Sequence, residues 1–238
     1  FLDHGLTPGG GVLAGTQGQT LTIGGNLVLD SASQVNVALG GAPTNTLFDV
    51  GGNLQLDGTL NVSNQGGFGA GVYRLFNYGG ALINNGLTLG TIPAGVNANK
   101  LDIQTAVNGQ VNLVSTGGVK LDYWDGDDTG QRDNGAVDGG AGIWRADGAN
   151  WTDADGTVNG PLQSSPSFTV FQGTGATVTV DHSAGAVGVA GMQLATNGYY
   201  IKGDSIALEG QGGESIIRVG DGSAASAGMI GTIASSLT

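Results

Sequence analysis

The chain has 238 residues, of which 48 are glycine, and 11% of its residues are charged. Seven Lys and Arg against 19 Asp and Glu give a net charge of −12, which argues against binding to a nucleic-acid backbone through clustered basic side chains. Cysteine is absent, so the sequence has neither disulfides nor a Cys-based zinc site. The glycines follow no three-residue period, which excludes collagen, and a 39% hydrophobic content with sparse charge argues against disorder.

The sequence contains no apolar run of ~18 residues, so no helical membrane span is predicted. The first residues include neither an initiator Met nor the basic and apolar regions of a signal peptide. We therefore expect the chain to be a segment of a longer protein.

Short runs of alternating apolar and polar residues, bounded by Gly, Asn and Asp, occur in both halves of the chain. There are about 20 such runs of ~3–5 residues, and none has the apolar spacing of a helix. The pattern predicts an all-β protein with almost no helix. The clearest predicted strands are 21–23, 27–29, 35–37, 54–56, 60–62, 87–89, 101–103, 111–113, 168–171, 178–180, 200–201, 206–208 and 216–219.

Part of this pattern is repeated. The sequence at 24–30 recurs with one change 27 residues later, and the strand at 35–37 recurs 25 residues later and again at 111–113. Strands that persist while their connecting turns vary in length are typical of a right-handed parallel β-helix. We predict such a β-helix with roughly 9–10 turns stacked at ~4.8 Å, about 45 Å long. An antiparallel β-sandwich is the alternative, but it does not require near-identical strands at this spacing.

The composition changes near residue 120. Residues 122–156 hold a dense group of acidic side chains and all three tryptophans, Trp124, Trp144 and Trp151. We predict that this segment forms longer loops that project from one side of the β-helix, while residues 1–238 form a single β-helical unit.

The order Trp124-Asp125-Gly126, Trp144, Asn150-Trp151-Thr152 resembles a Trp-Asp/Asn-Gly … Trp … Asn-Trp repeat of the passenger domains of bacterial autotransporters. The resemblance implies a β-helical passenger at the bacterial cell surface or outside the cell. It also implies export through the periplasm and the outer membrane by a β-barrel that lies outside this sequence. It implies no particular ligand, because passengers of this type include adhesins, proteases and esterases. Other segments similar to strands of this family are 71–78, 86–90, 176–181 and 198–201.

Three patterns contain residue types used in enzymes, and none predicts catalysis. The sequence Asp-His-Ser at 181–183 is consecutive, and neighbours on a strand point to opposite faces, so they cannot form a catalytic relay. Residues 203–205 begin like the nucleophile motif of passenger proteases, but 206–207 do not continue it, and the remaining histidine is His4. Residues 220–225 match a dinucleotide-binding pattern but precede a poor helix, which favours a β-corner.

The run 125–130 places oxygen-bearing side chains at positions 1, 3 and 5 and glycine at position 6, as in an EF-hand loop. Asp125, Asp127 and Asp128 are the predicted Ca²⁺ ligands, and no other cofactor is expected. The alternative is an acidic loop without an ion, because β-turns use the same residues and the glutamate of an EF-hand is missing. Carboxylates that could complete the cage are those of Asp133, Asp138, Asp153 and Asp155.

The aromatic residues allow two interpretations. Trp124, Trp144 and Trp151, with Tyr199 and Tyr200, form either an exposed ledge that binds a sugar or a protein, or a cover over the apolar core. Arg145, next to Trp144, is expected to stack on an indole ring.

Together these features predict a non-catalytic β-helical stalk of a surface-exposed autotransporter passenger, which contributes to adhesion or self-association. The expected partners are a host surface protein, a glycan or a second copy of the chain, and not nucleic acid. The alternative is a module that binds a glycan or a host protein through residues 122–156. A third hypothesis is part of an enzyme whose active site lies outside this sequence.

Overall fold

The computed structural model describes residues 5–41, 46–162, 166–210, 215–220 and 228–238. It is a parallel β-solenoid of about 8 turns, with 43% of its residues in strands and 3% in helix. The predicted all-β, parallel architecture is confirmed, and the β-sandwich alternative is wrong. The described residues include the 3₁₀ turns Ala98–Lys100 and His182–Ala184. None of the described helices has the length and apolar character needed to span a membrane.

The first stretch of the solenoid, residues 12–89, coils through three parallel sheets, and each full turn adds one strand to each sheet. Its first sheet consists of β1 (Val12–Thr16), β4 (Gln34–Leu39), β7 (Thr59–Asn64) and β10 (Thr88–Leu89). The second contains β2 (Leu21–Ile23), β5 (Phe48–Val50) and β8 (Gly71–Tyr78), and the third β3 (Leu27–Val28), β6 (Leu54–Leu56) and β9 (Leu82–Asn84).

The sequence repeat corresponds to the vertical stacking of these turns. Val35 lies opposite Leu60 in the β4–β7 pair, and Leu27 lies opposite Leu54 in the β3–β6 pair. All four side chains are fully buried. Equivalent residues are similar because they continue one apolar column from turn to turn.

The Gly-Gly-Asn corners of the repeat also stack. The backbone N–H of Asn53 donates to Oδ1 of Asn26 at 2.8 Å, and Oδ1 of Asn53 accepts from the N–H of Ala81 at 2.8 Å. Gly52 lies so close to Asn26 that a Cβ on it would collide with that amide oxygen. The asparagine thus satisfies the backbone of the next turn, and the glycine leaves room for it.

After β10 the parallel coil is interrupted by an antiparallel hairpin of β11 (Leu101–Gln104) and β12 (Gln110–Ser115). Strand β12 pairs antiparallel with β8, so the expectation that 111–113 continues the repeat of 35–37 as a parallel strand is wrong. Residues in this hairpin and in the long connections after β13 do not advance the coil. This explains about 8 turns instead of the expected 9–10.

The second stretch begins at residue 121 and again has three sheets. One contains β13 (Leu121–Trp124), β16 (Phe168–Phe171), β19 (Gly191–Leu194) and β22 (Ile216–Val219), with β15 (Trp151–Thr152) antiparallel to β13. The second sheet consists of β14 (Gly142–Trp144), β17 (Thr177–Val180), β20 (Tyr200–Gly203) and β23 (Thr232–Ile233). The third sheet consists of β18 (Val187–Val189) and β21 (Ile206–Leu208).

Side-chain contacts join the two stretches. In the described ranges, no strand of the first stretch pairs with a strand of the second. Buried Gln193 of β19 accepts from the N–H of Val72 at 2.8 Å and donates to the carbonyl of Val72 at 3.1 Å. An apolar cluster surrounds this contact and separates the cores of the two stretches; its fully or largely buried members are Val72, Val107, Val114, Leu121, Tyr123, Val137, Phe168, Val170 and Ala195.

Candidate functional site

Residues 122–156 contribute three strands to the second stretch, namely β13, β14 and β15. The longest exposed runs of the segment are the turns 127–130, 133–135 and 145–147. The segment was expected to project as loops, whereas these strands place its tryptophans within the sheets.

The three tryptophans form one buried cluster. Trp124 and Trp144 are 0% exposed and Trp151 is 1% exposed. The ring of Trp151 lies edge-on to those of Trp124 and Trp144, with centroids 5.2 and 4.9 Å apart, and Phe171 packs against all three. The indole faces are therefore covered by other aromatic rings, an arrangement typical of a core.

The tyrosines at 199 and 200 point in opposite directions, as neighbours on a strand do. Tyr199 is buried against Phe171 and donates to the carbonyl of Gln172 at 2.6 Å, and burial raises the pKa of its phenol. Tyr200 is 40% exposed. Of this pair, Tyr200 is the one accessible to a ligand.

The predicted calcium ligands are instead acceptors for the protein's own donors. Asp125 is buried; its Oδ1 accepts from the N–H of Asp138 and its Oδ2 from the side chain of Asn159, each at 2.8 Å. Asp127 accepts from the N–H of Ile143 at 2.8 Å and from the side-chain amide of Asn150. Within the part of the chain that the structure describes, no three His, Asp or Glu side chains come together to hold a metal ion.

Burial raises the pKa of Asp125, and the hydrogen bonds from Asn159 and Asp138 oppose that rise. The carboxylate acts as a brace, because it ties β13 to two separate connections of the chain. Asp128 accepts from the N–H of Gly130 at 2.9 Å, an ordinary turn contact.

The Asp-His-Ser sequence at 181–183 forms the start of a 3₁₀ turn. Asp181 caps this turn by accepting from the N–H and the hydroxyl of Ser183, and Nε2 of His182 lies 2.7 Å from the carbonyl oxygen of Ser205. The serine hydroxyl thus bonds to the aspartate and not to the imidazole, which is not the order of a catalytic relay. His4 and residues 221–225 of the dinucleotide-like pattern lie outside the described residues.

A polar cavity of about 300 Å³ lies between the exposed turns of residues 122–156. Arg145 is not stacked on Trp144; its Nε lies 3.3 Å from a carboxylate oxygen of Asp147. Arg132 was not predicted as a site residue, because no local sequence pattern places it beside Arg145, which is 13 positions away. The cavity is lined by Asp127, Arg132, Ile143, Arg145, Asp147, Gly148, Ala149 and Asn150.

A known protein that is similar to this chain is consistent with the fold. The chain is 44% identical over 238 residues to "Adhesin BmaC autotransporter" of Brucella suis biovar 1 (strain 1330). The resemblance to bacterial autotransporter passengers is confirmed. The match covers 96% of this chain and 7% of the adhesin, so the chain spans a small part of that protein. No family model and no solved structure match the chain.

The match and the structure agree on the architecture that the autotransporter resemblance implies. A parallel β-solenoid with an all-β core is present over both stretches. The Trp-Asp-Gly and Asn-Trp motifs that carry the resemblance are the residues that build the buried aromatic cluster and its Asp125 brace.

Proposed function

We propose that this chain is a non-catalytic scaffold within a surface-exposed autotransporter passenger, which holds adhesive regions away from the outer membrane. Stacked parallel strands on continuous apolar columns support this proposal most, because each turn is braced by its neighbours. The name of the related protein, an adhesin and autotransporter, supports a place at the cell surface after export through the periplasm and outer membrane.

The proposed partners are a host surface protein, a glycan or a second copy of the chain. Self-association is supported by the outer face of β1, β4 and β7, where a groove of about 480 Å³ is lined by Asn, Ser and Thr together with Gly, Ala and Val. Such a face offers hydrogen-bonding groups without a large apolar patch. Light scattering of the purified chain over a range of concentrations tests this part of the proposal, and a monomer at all concentrations would overturn it.

The scaffold proposal is tested by removing one turn in register. Deletion of residues 27–53 brings Leu54 to the position of Leu27 and places β7 beside β1, so that the columns of the core continue. In bacteria that display the complete passenger, we expect normal surface display and normal adhesion to host cells. Loss of adhesion with normal display would contradict a scaffold role for this stretch.

A second candidate function is recognition of a glycan or host protein by residues 122–156. It is favoured by the cavity between the turns of this segment, which Arg132 and Arg145 both line. A matched test replaces exposed residues of these turns while the aromatic cluster is kept. Loss of adhesion with an unchanged unfolding midpoint would favour recognition over the scaffold.

A further inference from the structure

We propose that the cavity between the turns 127–132 and 145–150 binds the carboxylate of an acidic sugar, with Arg132 and Arg145 as its cationic contacts. This inference rests on the second candidate function above, since it assigns a ligand class to the same segment. Two observations lead to it: the distribution of basic residues in an acidic chain, and an unpartnered guanidinium nitrogen at the cavity.

The distribution of charge makes this cavity unusual in the molecule. The chain has seven Lys and Arg residues and a net charge of −12, yet two of the seven line this one cavity. Asp127 and Asp147 line the same cavity and balance the two arginines, so the rest of the chain carries the net negative charge. An anion that binds this protein therefore needs a local source of positive charge, and two arginines in a shared cavity supply it.

The two arginines are available to different degrees. Nε of Arg132 is buried and has no hydrogen-bond partner among the described residues, which leaves one donor of this charged group unsatisfied at a cost in free energy. Arg145 contacts Asp147 at 3.3 Å, but these side chains are 46% and 64% exposed. An exposed ion pair of this kind is weak, so a ligand carboxylate can replace Asp147 at small cost.

The other carboxylate of the cavity, that of Asp127, is held in place by hydrogen bonds. Both oxygens of Asp127 already accept hydrogen bonds, from the N–H of Ile143 and from the side chain of Asn150. The same bonds fix the position of one turn against the other. A reciprocal pair, in which the N–H groups of Asp133 and Asn159 each donate to the other's side chain at 2.8 and 2.6 Å, holds the Arg132 turn from the far side.

These features fit a sugar that carries a carboxylate. Guanidinium groups match the geometry of a carboxylate because they donate two parallel hydrogen bonds. Ile143 is 47% exposed at the cavity and offers an apolar surface to the C–H face of a sugar ring. A volume of about 300 Å³ accommodates one or two sugar rings and is too small for a folded partner.

The test measures binding of 3′-sialyllactose, neutral lactose and 3′-sulfolactose to the purified chain by saturation-transfer NMR and calorimetry at low salt. We expect binding of sialyllactose that weakens as salt is added, and no measurable binding of lactose. Arg132→Lys keeps the charge but loses the paired donors, so we expect about tenfold weaker binding, with complete loss in Arg132→Ala combined with Arg145→Ala.

Lys100→Ala removes one positive charge from an exposed site outside this cavity and should leave affinity unchanged. Tryptophan fluorescence of each variant reports whether the fold is intact, and the milder Arg132→Lys variant serves if the double variant does not fold. Unchanged affinity in the folded double variant, equal affinity for sulfolactose, or failure to bind sialyllactose would each overturn the inference. Arginine-independent binding of lactose or of a host protein would overturn it too but would leave the second candidate function standing.

Discussion

The two stretches of the solenoid share a three-sheet coil but fill it with different side chains. The first stretch has an aliphatic core of mainly Leu and Val, and its corners repeat in sequence. The second stretch has three tryptophans, Phe171 and Tyr199 in its core, and its first turn adds no strand to the third sheet. Large aromatic rings therefore fill the core at the point where long connections interrupt the regular coil.

The largest expected effect is the loss of the central indole. Trp151 contacts Trp124, Trp144 and Phe171, so Trp151→Ala leaves a large cavity, and we expect a loss of about 3–5 kcal/mol in the free energy of unfolding. Tyr200→Ala, at a 40% exposed position, should change it by about 1 kcal/mol or less. Urea titration measures both. A similar small loss in both variants would show that the indoles are not core residues.

The next effect concerns the junction of the two stretches. Gln193→Leu removes the partner of both backbone groups of Val72, and each buried unsatisfied group costs about 1–3 kcal/mol. All tryptophans are in the second stretch, so their fluorescence reports that stretch alone, whereas far-ultraviolet circular dichroism reports both. We expect the two urea transitions to coincide in the unsubstituted chain and to separate in Gln193→Leu.

Exposed Gln34 provides the control for that experiment. Gln34→Leu should leave the two transitions coincident. Separate transitions already in the unsubstituted chain would show that the junction does not couple the stretches.

A smaller effect is expected at the Gly-Gly-Asn corner of the first stretch. A Cβ at Gly52 would meet the side chain of Asn26 and the backbone of Gly25, so we expect Gly52→Ala to destabilise the chain by about 1–3 kcal/mol. Gly228 has no atom within 4 Å of the position of its Cβ, so Gly228→Ala is the matched control. Thermal unfolding compares them, and equal midpoints would contradict the stacked-corner geometry.

The smallest effect is a pH dependence at Asp155. Partial burial, followed by repulsion from Asp102 and Asp153, raises the pKa of Asp155. A group whose pKa is raised on folding favours the folded state at low pH, and this contribution is lost as pH rises through the raised pKa. Asp155→Asn should therefore be more stable than the unsubstituted chain at pH 7, by about 0.5 kcal/mol or less for a group this exposed to solvent.

The difference between Asp155→Asn and the unsubstituted chain should shrink as pH falls towards ~4, where an ordinary aspartate is half protonated, and disappear below it. It should also shrink at about 1 M salt, where the screening length is ~3 Å. Thermal unfolding over this pH range measures it. A difference that stays constant with both pH and salt would contradict the electrostatic explanation.

Much of the first stretch could be predicted from the sequence because its turns repeat one another. The matched segments at 24–30 and 51–57 identified which strands stack, and the pairing of Leu27 with Leu54 follows from that match. The antiparallel hairpin after β10 was missed, since its strand at 111–113 has the same alternation as a parallel strand. Alternation gives the faces of a strand but not the direction of its neighbour.

The candidate site was harder to predict. The motif around Trp124 and Asp125 identified the correct segment, but sequence alone could not tell an exposed indole from a buried one. It also could not show that the oxygens of Asp125 and Asp127 are taken by Asp138, Ile143 and other donors. Arg132 and Arg145 line the same cavity because two separate turns fold towards each other, and no local sequence pattern shows this.

The most direct test of this account is the accessibility of the tryptophans in the native chain. Acrylamide quenching of tryptophan fluorescence, compared before and after unfolding in urea, measures it. We expect a blue-shifted native emission that acrylamide quenches far less than that of the unfolded chain, because all three indoles are core residues of the solenoid. Native emission that is red-shifted and quenched as strongly as the unfolded chain would contradict it.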